Sequence, residues 1–169
     1  THGGVTERNA HPLTGCDADR VAIVLNGIVE NYRELRERLQ SEGHTFSSET
    51  DAETVTHLIE RHYDGDLFEA VRLAAGELEG HFTFVAIHRD HPGELVATRL
   101  QTPLVVGIGE GEMFLASNAA AFLRETRTVL FPEAMPPVSP TVYWPMAGLW
   151  QAGTRRRQAL RQRNPETRM

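Results

Sequence analysis

The sequence predicts an α+β domain, and three observations carry that prediction. Residues 30–78 repeat apolar side chains at helical spacing. From His81 onward the chain breaks into short segments that alternate with period two. The turn signals "HPGE" and "GEGE" separate those segments, as in an antiparallel meander.

The elements follow in order. Residues 1–19 are polar and turn-rich, with "NAHPLTGCDAD" reading as a loop. Val21–Leu25 (VAIVL) is a buried strand that ends at the dipeptide Asn26-Gly27. Between two strands Asn-Gly would signal a hairpin, but a helix follows here, over Glu30 to Glu42. Tyr32, Leu35 and Leu39 fall on one face of it, and Gly43 is its C-cap candidate. "HTFSSETD" is extended and polar. Asp51 reads as the N-cap of a second helix, Ala52 to Tyr63, with Val55, Leu58 and Ile59 inward. Leu67 to Leu78 is a third helix. Strands are expected at "HFTFVAIHR", "ELVATR", "PLVVGIG" and "EMFLASN", a short helix at Ala119 to Arg124, and a last strand at "TVLF".

After Pro132 the texture changes. Residues 134–169 hold five of the nine prolines and both tryptophans. They carry a net charge of +5, against −11 for residues 1–133. All 17 basic residues are Arg, which is more a mark of coding bias than of function. The expectation is two regions: a domain over 1–133, and an atypical Pro/Arg-rich tail over 134–169, disordered or translated out of frame. Six Arg make a small footprint for a nucleic-acid arm, so no nucleic-acid partner is expected.

Length and composition suit one globular domain. No run of 18 apolar residues exists, and no basic-then-apolar leader precedes the domain, so no membrane association is expected. Cys16 is the only cysteine, which excludes an internal disulfide and points to a reducing, cytoplasmic setting. The chain starts at Thr1 without an initiator Met, as a processed, trimmed or partial chain does.

Several residues could carry chemistry. A Thr with a free α-amine can act as a nucleophile, which raises Thr1 as a candidate. Cys16 sits beside Asp17 and Asp19, whose charges work against a thiolate, and reads as an incidental loop thiol. His57 and His62 are five apart, off the spacing that stacks two ligands on a helix face, and His88 and His91 sit at a strand end. No metal site and no cofactor are expected. "GIGEGE" lies between two strands and reads as a turn, not a phosphate loop. Asn26 and Gly27 remain. A side-chain amide and a glycine backbone N–H, side by side, can aim two donors at one developing oxyanion. Asp51 could receive a substrate ammonium. The plainer alternatives are a turn Asn-Gly and a capping Asp.

The segments "THGGVTERNAHPL", "NGIVENYRELRERLQSEGHTFSSETDAE" and "PLVVGIGEGEMFLASN" resemble the glutaminase (class II glutamine amidotransferase) domain of glutamine–fructose-6-phosphate aminotransferases. The resemblance covers residues 1 to about 133, with NGI-x-EN and SETD-x-E as its most specific parts. It implies an N-terminal nucleophile hydrolase fold, an αββα sandwich of two antiparallel sheets between helical layers. It implies Asn26 (side chain) and Gly27 (N–H) as the oxyanion pair, and Asp51 as the acceptor of the glutamine α-ammonium. Thr1 and His2 match the segment lining the glutamine pocket, which makes Thr1 an internal residue and no nucleophile. Glutamine is the implied substrate. Fructose 6-phosphate is implied only through isomerase domains outside this sequence, and the parent enzyme is an expected homodimer. Three departures stand out. The family's N-terminal Cys-Gly-Ile-like start, which supplies the nucleophile, does not occur here. Leu25 stands where the family usually has His. Roughly 75 family residues, with their central strands, precede the matching region. The resemblance therefore implies a chain with an oxyanion pair but no attacking thiol, inactive by itself. A degenerate, non-enzymatic interaction module and a different class II amidotransferase are the alternative readings.

Overall fold

The computed structural model describes residues 3–17, 20–132 and the backbone of 141–145. A two-residue strand, β1 (Leu13–Thr14), leads through a loop to β2 (Val21–Val29). Val21, Ile23 and Leu25 are buried while Val24 is exposed, the alternation of a sheet with one covered face. β2 does not stop at Leu25. It continues through Asn26 and Gly27 to Val29, paired with β3 (Gly80–His88) in unbroken antiparallel register from Val21↔His88 to Val29↔Gly80.

Two glycines permit that continuation. Gly27 has φ +126°, and a Cβ there would lie 2.1 Å from the His81 carbonyl oxygen. Gly80 has φ +127°, and its Cβ would lie 2.4 Å from the Ile28 carbonyl oxygen. Both obstacles are backbone, which cannot rotate aside. Asn-Gly here serves a close strand contact, neither a turn nor a strand end.

α1 (Tyr32–Ser41) starts two residues later than expected, because the Glu30 N–H donates to the Glu79 carbonyl at 2.8 Å and extends the ladder. Leu35 and Leu39 are buried, with Tyr32 packed against them at the core edge. The helix ends at Gly43, φ +101°. The Gly43 N–H donates to Gln40 O (3.1 Å) and the His44 N–H to Leu39 O (3.0 Å), the paired bonds of a Schellman motif. α2 (Ala52–His62) buries every residue from Ala52 to Ile59, including Glu53, Thr54, Thr56 and His57. α3 (Leu67–Glu77) is capped by Asp66, whose carboxylate accepts the Glu69 N–H at 3.0 Å.

The expected meander divides. β4 (Glu94–Leu100) pairs with β3, and the first sheet has the order β1-β2-β3-β4-β8, its last strand being Thr141–Pro145. Beyond Gln101, at φ +66°, the chain enters a second sheet. Its strands, β5 (Val105–Ile108), β6 (Met113–Ala116) and β7 (Thr128–Leu130), lie in the order β6-β5-β7. The short helix expected at Ala119 to Arg124 is one 3-10 turn, Ala119–Ala121, capped by Asn118. β8 (Thr141–Pro145) pairs with β4, from Thr98↔Thr141 to Glu94↔Pro145. It lies in the stretch whose sequence has no strand periodicity.

The core of α1, α2 and α3 packs on one face of the first sheet through Ile23, Leu25, Phe82, Phe84 and Val96. On the opposite face, Val85 and Ala97 pack with Leu104 and with Leu115 of β6. Among the described residues the layers run helix, sheet, sheet, all strand pairs antiparallel: three layers of the αββα order. Val24, Ile28 and Ile87 are exposed on that second face. Among the described residues no helix is long and apolar enough to cross a membrane.

Candidate active site

The geometry around Asn26 and Gly27 follows from strand alternation. Successive N–H groups of a strand point to opposite edges, so those of Leu25, Gly27 and Val29 share one edge. Its two outer members are bonded away from β3. The Leu25 N–H donates to His11 Nε2 at 3.2 Å, and the Val29 N–H donates to Asp51 Oδ2 at 2.7 Å. The Glu30 N–H points back to the β3 side, which keeps the parity. Gly27 N–H therefore faces the edge that His11 and Asp51 flank. Asn26 is exposed, and its register with Thr83 puts its side chain on the sheet face away from the helices.

Asp51 reaches this edge by not capping its own helix. It stands at the N-cap position of α2 with helical backbone angles, and its side chain makes no cap bond. Thr50 does that work: its Oγ1 accepts the Glu53 N–H at 3.3 Å. The Asp51 carboxylate is buried beside the positive end of α2 and spans to β2 instead.

Glu53 builds the turn that delivers Asp51. Its Oε1 accepts the Ser47 N–H (2.6 Å) and hydroxyl (2.8 Å); its Oε2 accepts the Ser48 N–H and hydroxyl, both at 2.7 Å. Burial raises the pKa of this carboxyl, but the nearby His57 imidazole and the hydrogen bonds from Ser47 and Ser48 overcome it and hold the group down at about 2. Arg36 donates to the Ser48 carbonyl at 2.6 Å and fixes the other side of the turn. Glu53 was legible as part of SETD-x-E, but its role as the hub of the turn was not.

Thr1 and His2, expected to line the pocket, lie outside the described residues. Cys16 is not the isolated loop thiol its neighbours suggested. Its Sγ lies 3.6 Å from His44 Nδ1 and 3.6 Å from His57 Nδ1, with Glu60 alongside, a group whose ligand atoms all lie within 4.8 Å of one another. Only His57 and Glu60, at i, i+3, share a local spacing; Cys16 and His44 come from two other segments. His57 and His62, and His88 and His91, do not form such a group among the described residues.

Comparison with known proteins gives the family and the fold. A family model described as a glutamine amidotransferase domain matches residues 4–124. The glutamine–fructose-6-phosphate aminotransferase (isomerizing) of Streptomyces coelicolor is 54% identical over 129 residues, 75% of this chain and 21% of that protein. The protein of the same name from Thermus thermophilus is 53% identical over 131 residues, covering 78% and 21%. That from Thermotoga maritima is 47% identical over 133 residues, covering 79% and 22%. The chain thus spans about a fifth of the length of these relatives. Among solved structures, a glutamine phosphoribosylpyrophosphate amidotransferase from B. subtilis matches with a TM-score of 0.64 at 20% identity, over 82% of this chain and 32% of that one. A structure described as the allosteric regulatory enzyme of purine biosynthesis matches at 0.63 and 22%, with the same coverage. These two likenesses establish the fold, that of the N-terminal nucleophile hydrolase amidotransferases.

Proposed function

The chain belongs to the glutamine amidotransferase domain family, and from that premise we propose that it is the oxyanion-and-ammonium half of a glutaminase site. The parent reaction is glutamine hydrolysis, with the ammonia passed to fructose 6-phosphate to form glucosamine 6-phosphate. The observation that carries the reading is the order of groups along one edge of β2. Gly27 N–H, beside the Asn26 amide, comes first; the Asp51 carboxylate, held on Val29 N–H, comes two residues later. Two strand residues span about 6.6 Å. An extended glutamine places its α-ammonium about 5 Å from its carboxamide carbon. One glutamine can thus put its ammonium at Asp51 and its carboxamide at Asn26-Gly27.

In that pose the Asn26 NH₂ and the Gly27 N–H donate to the oxygen of the tetrahedral intermediate. The attacking thiolate is that of the family's N-terminal Cys. It adds to the carboxamide carbon, ammonia leaves with a proton, and water hydrolyses the thioester to glutamate and free thiol. Cys16, the only thiol in these 169 residues, lies among His44, His57 and Glu60 and does not serve that role. A polypeptide of these residues alone is accordingly inactive.

The test is a chimera. Residues 4–124 replace the matching segment of the S. coelicolor relative, and ammonia release from glutamine is measured. The chimera should hydrolyse glutamine, and Asn26→Ala in it should lower kcat by about 10²–10³. The 169-residue polypeptide should release no ammonia. An Asn26→Ala chimera with undiminished kcat would sink the oxyanion assignment. Alkylation-sensitive ammonia release by the isolated polypeptide would sink the claim of inactivity.

A further inference from the structure

We propose that Cys16, His44, His57 and Glu60 form a structural zinc site. Five of the six separations among the four ligand atoms lie near those of a zinc tetrahedron, and the sixth, from Cys16 Sγ to the Glu60 carboxylate, is within 4.8 Å. With Zn–N near 2.05 Å, Zn–S near 2.3 Å and Zn–O near 2.0 Å, the corners of a tetrahedral site are separated by about 3.3 Å (N to N), about 3.6 Å (S to N) and about 3.3 Å (O to N). Here His44 Nδ1 and His57 Nδ1 are 3.2 Å apart. Cys16 Sγ is 3.6 Å from each of them. Glu60 Oε2 is 2.9 Å from His57 Nδ1 and 3.5 Å from His44 Nδ1.

Hydrogen bonding alone explains this convergence poorly. Two imidazole nitrogens and a carboxylate oxygen meet at one point, and each neutral ring carries only one N–H. One divalent cation satisfies all four groups together. Thiolate, carboxylate and two neutral imidazoles balance its charge. A thiolate, two imidazoles and a carboxylate in tetrahedral array are a zinc donor set, and four protein ligands leave no open position for catalysis.

The surroundings are those of a built site. Glu60 presents Oε2 to the cluster while its Oε1 accepts the Asp17 N–H at 3.4 Å. A Cβ on Gly15 would lie 2.0 Å from that Oε1, so a larger residue there would push the Glu60 carboxylate out of its docked position. The Thr45 N–H donates to Cys16 Sγ at 3.4 Å, as backbone donors do toward a ligating sulfur. His57 Nε2 is fully buried with no hydrogen-bond partner. It faces Glu53 Oε1 at 3.7 Å, the arrangement of a metal-bound imidazole backed by a carboxylate. Local structure aims each ligand. The Schellman turn at Gly43 presents His44, and His57 and Glu60 stack at i, i+3 on α2. A cleft of about 240 Å³, lined in part by Cys16, His44 and Glu60, gives the ion a way in.

The ion would pin the β1–β2 loop and the α1–α2 connection to α2. Through His57 and Glu53 it would also brace the Ser47–Ser48 turn that carries Asp51.

The test uses the 169-residue chain without an affinity tag, and it needs no enzymatic activity. Elemental analysis of the purified chain should find about one zinc per molecule. After Co²⁺ replacement the protein should develop a thiolate-to-cobalt charge-transfer band and intense visible d–d bands of a tetrahedral site. Cys16→Ser, at an exposed position, should abolish the charge-transfer band and reduce bound zinc at least about tenfold. His62→Gln, outside the cluster, should keep both. A wild-type chain that takes up neither zinc nor cobalt overturns the proposal. So does a Cys16→Ser variant that keeps its zinc and an unchanged cobalt spectrum.

Discussion

Replacing Glu53 by Gln is the sharpest probe of how the ammonium anchor is held. The two side chains have the same shape, so packing is unchanged. The carboxylate, 1% exposed, accepts four hydrogen bonds, two of them from the backbone N–H groups of Ser47 and Ser48. Glutamine keeps one acceptor oxygen and puts an NH₂ where the other stood. The serine hydroxyls can rotate to accept from it, but a backbone N–H cannot. One of the two serine N–H groups therefore faces a donor and goes unpaired. Leaving a buried donor unpaired costs about 1–3 kcal/mol, and weakening a charge-assisted bond adds roughly 1–2 kcal/mol. The expected loss is about 2–5 kcal/mol. With a urea slope of about 1–3 kcal/mol/M, the unfolding midpoint falls by at least roughly 0.7 M, and by about 1.8 M at the middle of both ranges. Urea titration followed by circular dichroism measures this, with Glu49→Gln, a change at the exposed residue next to Ser48, as the control. Midpoints of the two variants within about 0.3 M of each other would refute the reasoning: the Ser47–Ser48 turn would not depend on the carboxylate.

Three further outcomes follow from the same geometry. Gly27→Ala combines backbone strain at φ +126° with a 2.1 Å clash against the His81 carbonyl, and should cost about 3–5 kcal/mol; unchanged hydrogen-exchange protection along β2 and β3 would contradict that close approach. Asp51→Asn keeps an oxygen for Val29 N–H, so stability should drop by no more than about 2 kcal/mol, while KM for glutamine in the chimera rises at least about tenfold; an unchanged KM would remove Asp51 from the ammonium site. Burial raises the pKa of Glu77, but hydrogen bonds from His62 and Arg38 outweigh it and leave the carboxyl below its usual 4.5. Its folded pKa is thus the lower one, so its contribution is present above about pH 4.5 and is lost as the pH falls below that; Glu77→Gln should flatten the acid limb of the pH–stability curve, and an identical limb in the variant would count against it.

The parts of the fold written in local pattern were legible: the Tyr32-Leu35-Leu39 stripe, the Gly43 terminus, the strand alternation around Phe82 and Phe84. What escaped depends on partners distant in the chain. The glycine requirement at Gly27 comes from the His81 carbonyl across the sheet, so Asn26-Gly27 read as a strand end. Asp51 read as a cap because capping preferences are local, whereas its actual partner, Val29 N–H, belongs to another strand. The clearest lesson lies in α2. Its sequence shows an apolar stripe, yet the helix is buried on nearly all sides through its first two turns. On such a helix apolar positions carry little information, because every face is inside. The polar positions are informative, since each must find a partner or cost free energy. Glu53, His57 and Glu60 fall at i, i+4 and i+7, one above another on a single face. That stripe links the Ser47–Ser48 turn at one end to Cys16 and His44 at the other, so the face that departs from the apolar pattern is the one that organises both polar centres.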